Sequence, residues 1–382
     1  MYCGMKFMHI SDLHLGKRLN EFSMLEDQEH ILDQILDIAA KEDISAVIIA
    51  GDVYDKPIPP AEAVKLFDKF ITSLSDHGVT ALIISGNHDS AERVAFGSSV
   101  MRRGGIYFSP VYSGSVEPVV LNDEYGAIYI YLLPFIKPAN VRRFFPDAEI
   151  ETHNDALAAA IGAIETDPAE RNVIVSHQFV TGAVTSESEE LSVGGLENVD
   201  AALYDKFDYT ALGHIHRPQS MEGGRIRYCG TPLKYSFSEA NDEKSVTIVD
   251  IKRKGDIEIT KCTLKPLHDL REIRGTYDEL ADRKSYTEEN RHDYIRAVLT
   301  DETEIPRAMD WLRAIYPNIM QLAYDNTSTR TRPELSELSA SERRTPMELA
   351  ADFYRSQNGT EMTEEQAELV RRLFDEIKEA EQ

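Results

Sequence analysis

The sequence predicts an α/β fold: a two-layer to four-layer sandwich followed by a smaller α/β unit and C-terminal helices. Three observations carry this prediction. From residue 5 to about 265, short β-branched runs alternate with amphipathic helical stretches. At Lys265-Pro266 the pattern resets into a second, smaller alternation. A polar stretch, "TSTRTRPELSELSASERRTP", then separates that module from two final helical patterns.

The elements follow in order. "KFMHIS" reads as a first strand. A helix is expected from about Met24, with Ser23 and Glu26 as a capping box and Ile31, Leu32, Ile35 and Ile38 as its apolar stripe. "AVIIAGD" is a second strand, "PAEAVKLFDKFITSLSDHG" a helix closed by Gly78, and "TALIISGNHD" a third strand. Such βαβ units require parallel strands with right-handed crossovers. "AIYIYLLPF", "NVIVSHQF", "YTALGHIH" and "SVTIVDI" are the later strands. After residue 265, "LREIRG", a helix from Thr276 to about Arg283, "DYIRAVLTD", a helix starting near Pro306 and "NIMQLAYDN" form a βαβαβ module. The expected units are therefore 1–265, 266–328, a linker at 329–345 and a helical segment at 346–382. In that last segment, Thr345-Pro346-Met347-Glu348 opens one helix, and Thr363 with Gln366 opens another carrying Leu369, Val370, Leu373, Phe374 and Ile377. An apolar face on so charged a helix needs a cover, from this chain or from a partner.

Composition narrows the function. The chain of 382 residues is 42% hydrophobic and 28% charged, the balance of a globular protein with a real core. No apolar run reaches membrane-spanning length. The first strand follows the N-terminus too closely for a signal peptide. Cys3, Cys229 and Cys262 lie far apart without a CxxC pair, which argues against disulfides and thiolate metal sites and points to the cytoplasm. A net charge of -25 argues against broad nonspecific nucleic-acid binding, although a local field can oppose the global one.

The chemistry lies where strands end. The first ends "ISDLH", with Asp12 and His14 two residues apart, so that they can point the same way. The second ends at Gly51-Asp52 and the third at Asn87-His88-Asp89. "NVIVSHQ" delivers His177, and "YTALGHIH" delivers His214 and His216. Open α/β sheets bind ligands at the carboxyl ends of their strands, so these side chains should converge. His9, His30, His77, His153, His268 and His292 lack such a setting, and a structural role is expected of each.

Asp12, His14, Asp52, Asn87, His177, His214 and His216 make a donor set for two metal ions, with one bridging carboxylate and open positions for water and substrate. Carboxylate, imidazole and amide without thiolate suit Mn²⁺, with Mg²⁺, Fe or Zn²⁺ as alternatives. Two carboxylates leave such a pair net positive, which would draw a phosphate substrate to an acidic chain. His88, beside a ligand, is placed to stabilise or protonate a departing oxygen. Asp89 either orients that imidazole or its loop, or caps the helix before "SAERVA".

The order D-x-H, GD, GNHD, H, GHxH resembles the calcineurin-like metallophosphoesterase superfamily, and "HISDLHLGK", "GDVYDKPIPP", "GNHDS" and "LGHIHRPQ" resemble its DNA-repair nuclease branch. The resemblance spans the whole chain. It implies a metallophosphoesterase (nuclease) domain at 1–265, a capping domain at 266–328 and a partner-binding segment at 346–382. It also implies one metal held by Asp12, His14, Asp52 and His216, another by Asp52, Asn87, His177 and His214, and His88 as the catalytic histidine. Mn²⁺-dependent exonucleolytic cleavage of duplex DNA ends and endonucleolytic cleavage of single strands and hairpins would follow, by a homodimer working with a coiled-coil ATPase. Lys17, Arg18 and Arg217 are the candidates for a DNA path. Two rivals stand beside this reading: a phosphoesterase acting on nucleotides or small phosphoesters, and a noncatalytic scaffold of the same fold.

Overall fold

The computed structural model describes residues 4–189, 197–326, 351, 354, 362–363 and 366–372. Two six-stranded sheets stack face to face with helices outside both, so the sandwich has four layers. Five strands deliver the predicted ligands: β1 (Met5–Ile10), β2 (Ala46–Ala50), β3 (Thr80–Ile84), β4 (Arg171–His177) and β5 (Tyr209–Gly213). The first sheet runs Ile257–Thr263, Ser245–Ile251, β1, β2, β3, Ile106–Phe108. Its last four strands are parallel. The second runs Gln219–Met221, Ile226–Tyr228, β5, β4, Gly126–Leu132, Pro118–Asp123, with its four central strands parallel.

Period-two alternation explains why these strands read as unbroken apolar runs. Along β2, Ala46, Ile48 and Ala50 enter the core between the sheets, while Val47 and Ile49 enter the core under the helices. β3 divides likewise, with Leu82 and Ile84 inward and Ala81 and Ile83 outward. Across the sandwich, Val173, Val175 and Ala211 meet them, and Ile174 and Leu212 face the outer core. Helices Leu25–Lys41 and Ala61–Asp76 cover the first sheet. Helix His153–Gly162 covers the second.

Gly78 does follow the second helix, at φ +71°. The expected capping box at Ser23 does not form. Ser23 pairs with Arg18 in a two-residue hairpin, and the helix begins after Met24 with no side-chain cap. The hairpin takes the backbone that a cap would have needed.

After residue 265, strands Leu270–Gly275, Tyr294–Leu299 and Ile319–Tyr324 form a parallel three-stranded sheet. Ile295, Ala297, Leu299, Leu312 and Tyr316 fill its own core with helix Ala308–Ile315. Thr276 and Glu279 form a capping box on Tyr277–Ala281. This module is pinned to the sandwich by Asp27, which accepts from Tyr294 Oη at 2.8 Å and from the His268 amide at 2.9 Å. The linker at 329–345 and the first C-terminal helix signature lie outside the described residues, as do Leu373, Phe374 and Ile377. Thr363 and Gln366 exchange the hydrogen bonds of a capping box at 2.9 and 3.3 Å, and 366–372 is helical.

Candidate metal centre

Each ligand pair is set by an apolar residue between its members. Leu13, between Asp12 and His14, is buried in the first core; Ile215, between His214 and His216, is buried in the second. With the middle residue anchored, both flanking side chains turn toward the gap between the sheets' carboxyl ends. The turns are strained: Asp12, His14, Asp52 and His214 have φ of +53°, +45°, +48° and +97°. Left-handed backbone at a non-glycine residue costs about 1–3 kcal/mol, and here it falls on four of the predicted donors.

Glycines bring the loops together. A Cβ on Gly86 would strike the Asp52 carboxylate, and one on Gly213 would strike the Ala50 carbonyl oxygen. The first contact joins β3 to β2 within one sheet and the second joins β5 to β2 across the sandwich, so the absence of a side chain lets ligand-bearing loops touch within a sheet and between sheets.

The seven predicted donors converge. Asn87 Oδ1 lies 2.9 Å from His177 Nε2 and 3.0 Å from His214 Nδ1. His177 Nε2 is 3.3 Å from Asp52 Oδ2 and 4.0 Å from Asp12 Oδ1. On the other side, His14 Nε2 is 3.2 Å from His216 Nε2 and 3.7 Å from Asp52 Oδ2. Asp12 also accepts from the His214 amide at 3.0 Å. Donor atoms of Asp12, His14 and His216 lie close enough together to share one ion, as do those of Asp12, Asp52 and His177. His14, Asp52 and His88 make a third such group, and the His88 ring meets the His14 ring edge-on at 4.8 Å. His9, His30, His77, His153, His268 and His292 belong to none of the groups found among the described residues.

Electrostatics fit a cation. Burial pushes His14 well below the usual imidazole range and His214 to about 3, so both rings keep free lone pairs. Burial pushes Asp12 up to about 6. Burial would also raise Asp52, but the charge of His177 overrides it and holds the carboxyl down. His177 in turn is drawn up to about 9, because Asp52 outweighs its own burial. Two buried carboxylates thus demand positive charge between them, and His14 Nδ1 is buried without a hydrogen-bond partner. A divalent ion answers the first of these needs, so the donor set fits the metals that the sequence pattern implies.

Of the two roles expected for Asp89 the structure supports the loop, and Gln28 and Asp55 escaped the sequence reading. Asp89 is no helix cap: the short helix that follows begins after Ser90. Its carboxylate accepts from the Val53, Tyr54 and Gly86 amides at 3.1, 3.0 and 2.9 Å, clamping the Asp52 loop to the Asn87 loop. Gln28 donates to the His14 carbonyl at 2.8 Å and to Tyr235 Oη at 2.9 Å. A buried glutamine on an otherwise apolar stripe was the available signal. The Asp55 carbonyl lies 3.1 Å from His88 Nδ1. Of the basic candidates, Lys17 Nζ pairs with Asp55 at 2.7 Å and Arg217 Nε with Asp242 at 3.1 Å, while Arg18 bonds the Glu21 carbonyl.

Comparison with known proteins shows the family of the chain. Residues 5–218 match the calcineurin-like phosphoesterase model, and residues 266–358 match the model described as type 5 capsule protein repressor C-terminal domain. A Staphylococcus epidermidis protein, named as the SbcD component of the nuclease SbcCD, is 31% identical over 377 residues, 97% of this chain and 98% of that protein. Among solved structures, a dimetal phosphatase from Danio rerio aligns at 12% identity and TM-score 0.41, over 69% of this chain and 100% of its own. A Thermus thermophilus protein aligns at 11% identity and TM-score 0.41, over 68% and 99%. With its strand-end donors gathered between two sheets and its match running nearly end to end, the chain belongs to the calcineurin-like phosphoesterases, among the relatives of the SbcD nuclease component.

Proposed function

We propose that the chain is the nuclease component of an SbcC–SbcD type complex, hydrolysing DNA phosphodiesters as an exonuclease on duplex ends and an endonuclease on single strands and hairpins. The observation that carries this reading is the meeting of Asn87, His177 and His214 on one side of Asp52 and of His14 and His216 on the other. Asp12, His14, Asp52 and His216 would hold one metal, and Asp52, Asn87, His177 and His214 would hold the second. Mn²⁺ suits that donor mixture best, with Mg²⁺ as the alternative. When bound, the pair supplies a nucleophile at neutral pH and Lewis-acid stabilisation of charge on phosphorus oxygens.

The remaining chemistry belongs to side chains. The Asp55 carbonyl accepts from His88 Nδ1, which fixes the ring and leaves Nε2 to face the leaving oxygen. There it stabilises or protonates that oxygen as it departs. Asp89, by clamping both loops, keeps His88 and Asn87 in register with Asp52.

In this reading residues 1–265 are the nuclease domain, 266–328 a capping domain, 329–345 a linker and 346–382 the segment that binds a coiled-coil ATPase. Leu369, 48% exposed, is part of the face offered to that partner. The complex would work as a homodimer in the cytoplasm, in DNA repair, recombination and replication. No helix among the described residues is long and apolar enough to cross a membrane.

The test is cleavage of end-labelled duplex and hairpin DNA in Mn²⁺ by wild type and His88→Gln, with and without the ATPase. Wild type should cut, and the variant should bind metal and DNA without cutting. Undiminished cleavage by His88→Gln would remove its assigned role. Turnover of small phosphoesters alone would favour the rival enzyme reading.

A further inference from the structure

The ring of His216 is held from behind by a chain of groups that no sequence pattern announces. Its Nε2 faces the donor cluster, 3.2 Å from His14 Nε2. Its Nδ1 lies 2.6 Å from Ser188 Oγ, which lies 2.5 Å from Glu239 Oε1. Glu239 is fully buried, and its other oxygen meets Lys244 Nζ at 2.5 Å. The same ammonium donates to the His216 carbonyl at 2.9 Å, and the His216 amide donates to Glu189 Oε1 at 2.7 Å. Ring and backbone of residue 216 therefore share one set of anchors.

The direction of the protons follows. A carboxylate beside an ammonium is an acceptor only, so the Ser188 hydroxyl hydrogen goes to Glu239. Ser186 Oγ, also nearby, donates to Glu189 Oε2 at 2.8 Å. The lone pair left on Ser188 Oγ then accepts a proton from His216, which must carry it on Nδ1. Its Nε2 lone pair is free to face inward. Hydroxyl-bridged support of this kind does for His216 what the Ala50 carbonyl, 2.8 Å from His177 Nδ1, does for the ligand on the neighbouring strand.

We propose that Ser188 and Glu239 are positioning residues that set the tautomer of His216 and, through it, the affinity of the metal centre; this rests on the metal-binding reading given above. Neither residue touches the reacting atoms. The hydroxyl is the specific link, because Ser188→Ala breaks the relay while the buried Glu239–Lys244 pair stays intact.

The experiment uses the full chain in two measurements. Long-range ¹⁵N–¹H spectra of the metal-free protein read the His216 tautomer, and titration with Mn²⁺ alone reads affinity. Wild type and Ser188→Thr should both show Nδ1–H. Ser188→Ala should lose that preference and bind Mn²⁺ about 10–100-fold more weakly while keeping its melting temperature. Glu239→Gln should act in the same direction, with added destabilisation from an unpaired Lys244. A wild-type tautomer and wild-type Mn²⁺ affinity in Ser188→Ala would overturn the proposal and leave the metal centre standing. Failure of the wild-type chain to take up Mn²⁺ would overturn both.

Discussion

The two sheets contribute unlike halves of the site. The first sheet ends in Asp12, His14, Asp52 and Asn87, and so brings both carboxylates. The second ends in His177, His214 and His216, and brings only imidazoles. Strain is divided just as unevenly. Three of the four left-handed donors sit on the first sheet and only His214 on the second. One sheet is thus an anionic claw that needs a countercharge, and the other is a wall of imidazoles held in place by hydrogen bonds. Neither alone carries all seven side chains, so a centre built from them would exist only while the sandwich stays closed at that end.

The largest effect should come from removing charge on the first sheet. Asp52→Asn should weaken Mn²⁺ binding more than about 100-fold, whereas His214→Gln, a neutral exchange on the second, should cost about ten-fold. Equal losses in isothermal titration would erase the contrast between the halves. Next comes the contact that joins them. Gly213→Ala drives a methyl group into the Ala50 carbonyl and should destabilise the fold by about 1–3 kcal/mol in urea unfolding. Unchanged stability would mean that the two loops are not in contact.

A clamp within the first sheet's loops is worth about as much. Asp89→Ala leaves the Val53, Tyr54 and Gly86 amides without their acceptor and should cost about 1–3 kcal/mol, while Asp89→Asn restores part of it. If the two variants unfolded alike, the carboxylate would not be acting through those amides.

The effect that is smallest near neutral pH concerns His9, which lies between the sheets with Nδ1 3.0 Å from Tyr209 Oη. Burial, aided by Arg227, holds its pKa at about 3 against the ordinary 6.5. Between those values the unfolded chain binds the extra proton. Stability is therefore full above pH 6.5 and falls as the pH drops toward 3, by up to about 1.4 kcal/mol per unit. His9→Asn should flatten that slope in unfolding measured between about pH 7 and 5, and parallel slopes would remove His9 as the cause.

Much of this contrast was legible before any coordinates. Each donor follows an apolar run, and a run that ends in Asp, Asn or His where a plain turn would do announces a site. The four layers were harder to see. A strand buried on both faces has no alternation to reveal how many layers surround it, which is why β2 reads only as "AVIIA". The failed cap at Ser23 shows a different limit: a two-residue hairpin with Arg18 claimed the residue, and nothing local signals so short a pairing. Asp89 lay in plain view, but its three amide partners come from two loops about 35 residues apart in the chain. Ser188 and Glu239 carry no motif, because a side chain that supports another is chosen by reach rather than by spacing.

Anomalous diffraction from crystals of the full chain grown with Mn²⁺ tests the central claim most directly. The account predicts two peaks, each touched by donors from both sheets, with Asp52 reaching both. A single peak held by one sheet alone, or no peak between Asp12, Asn87 and His214, would contradict it.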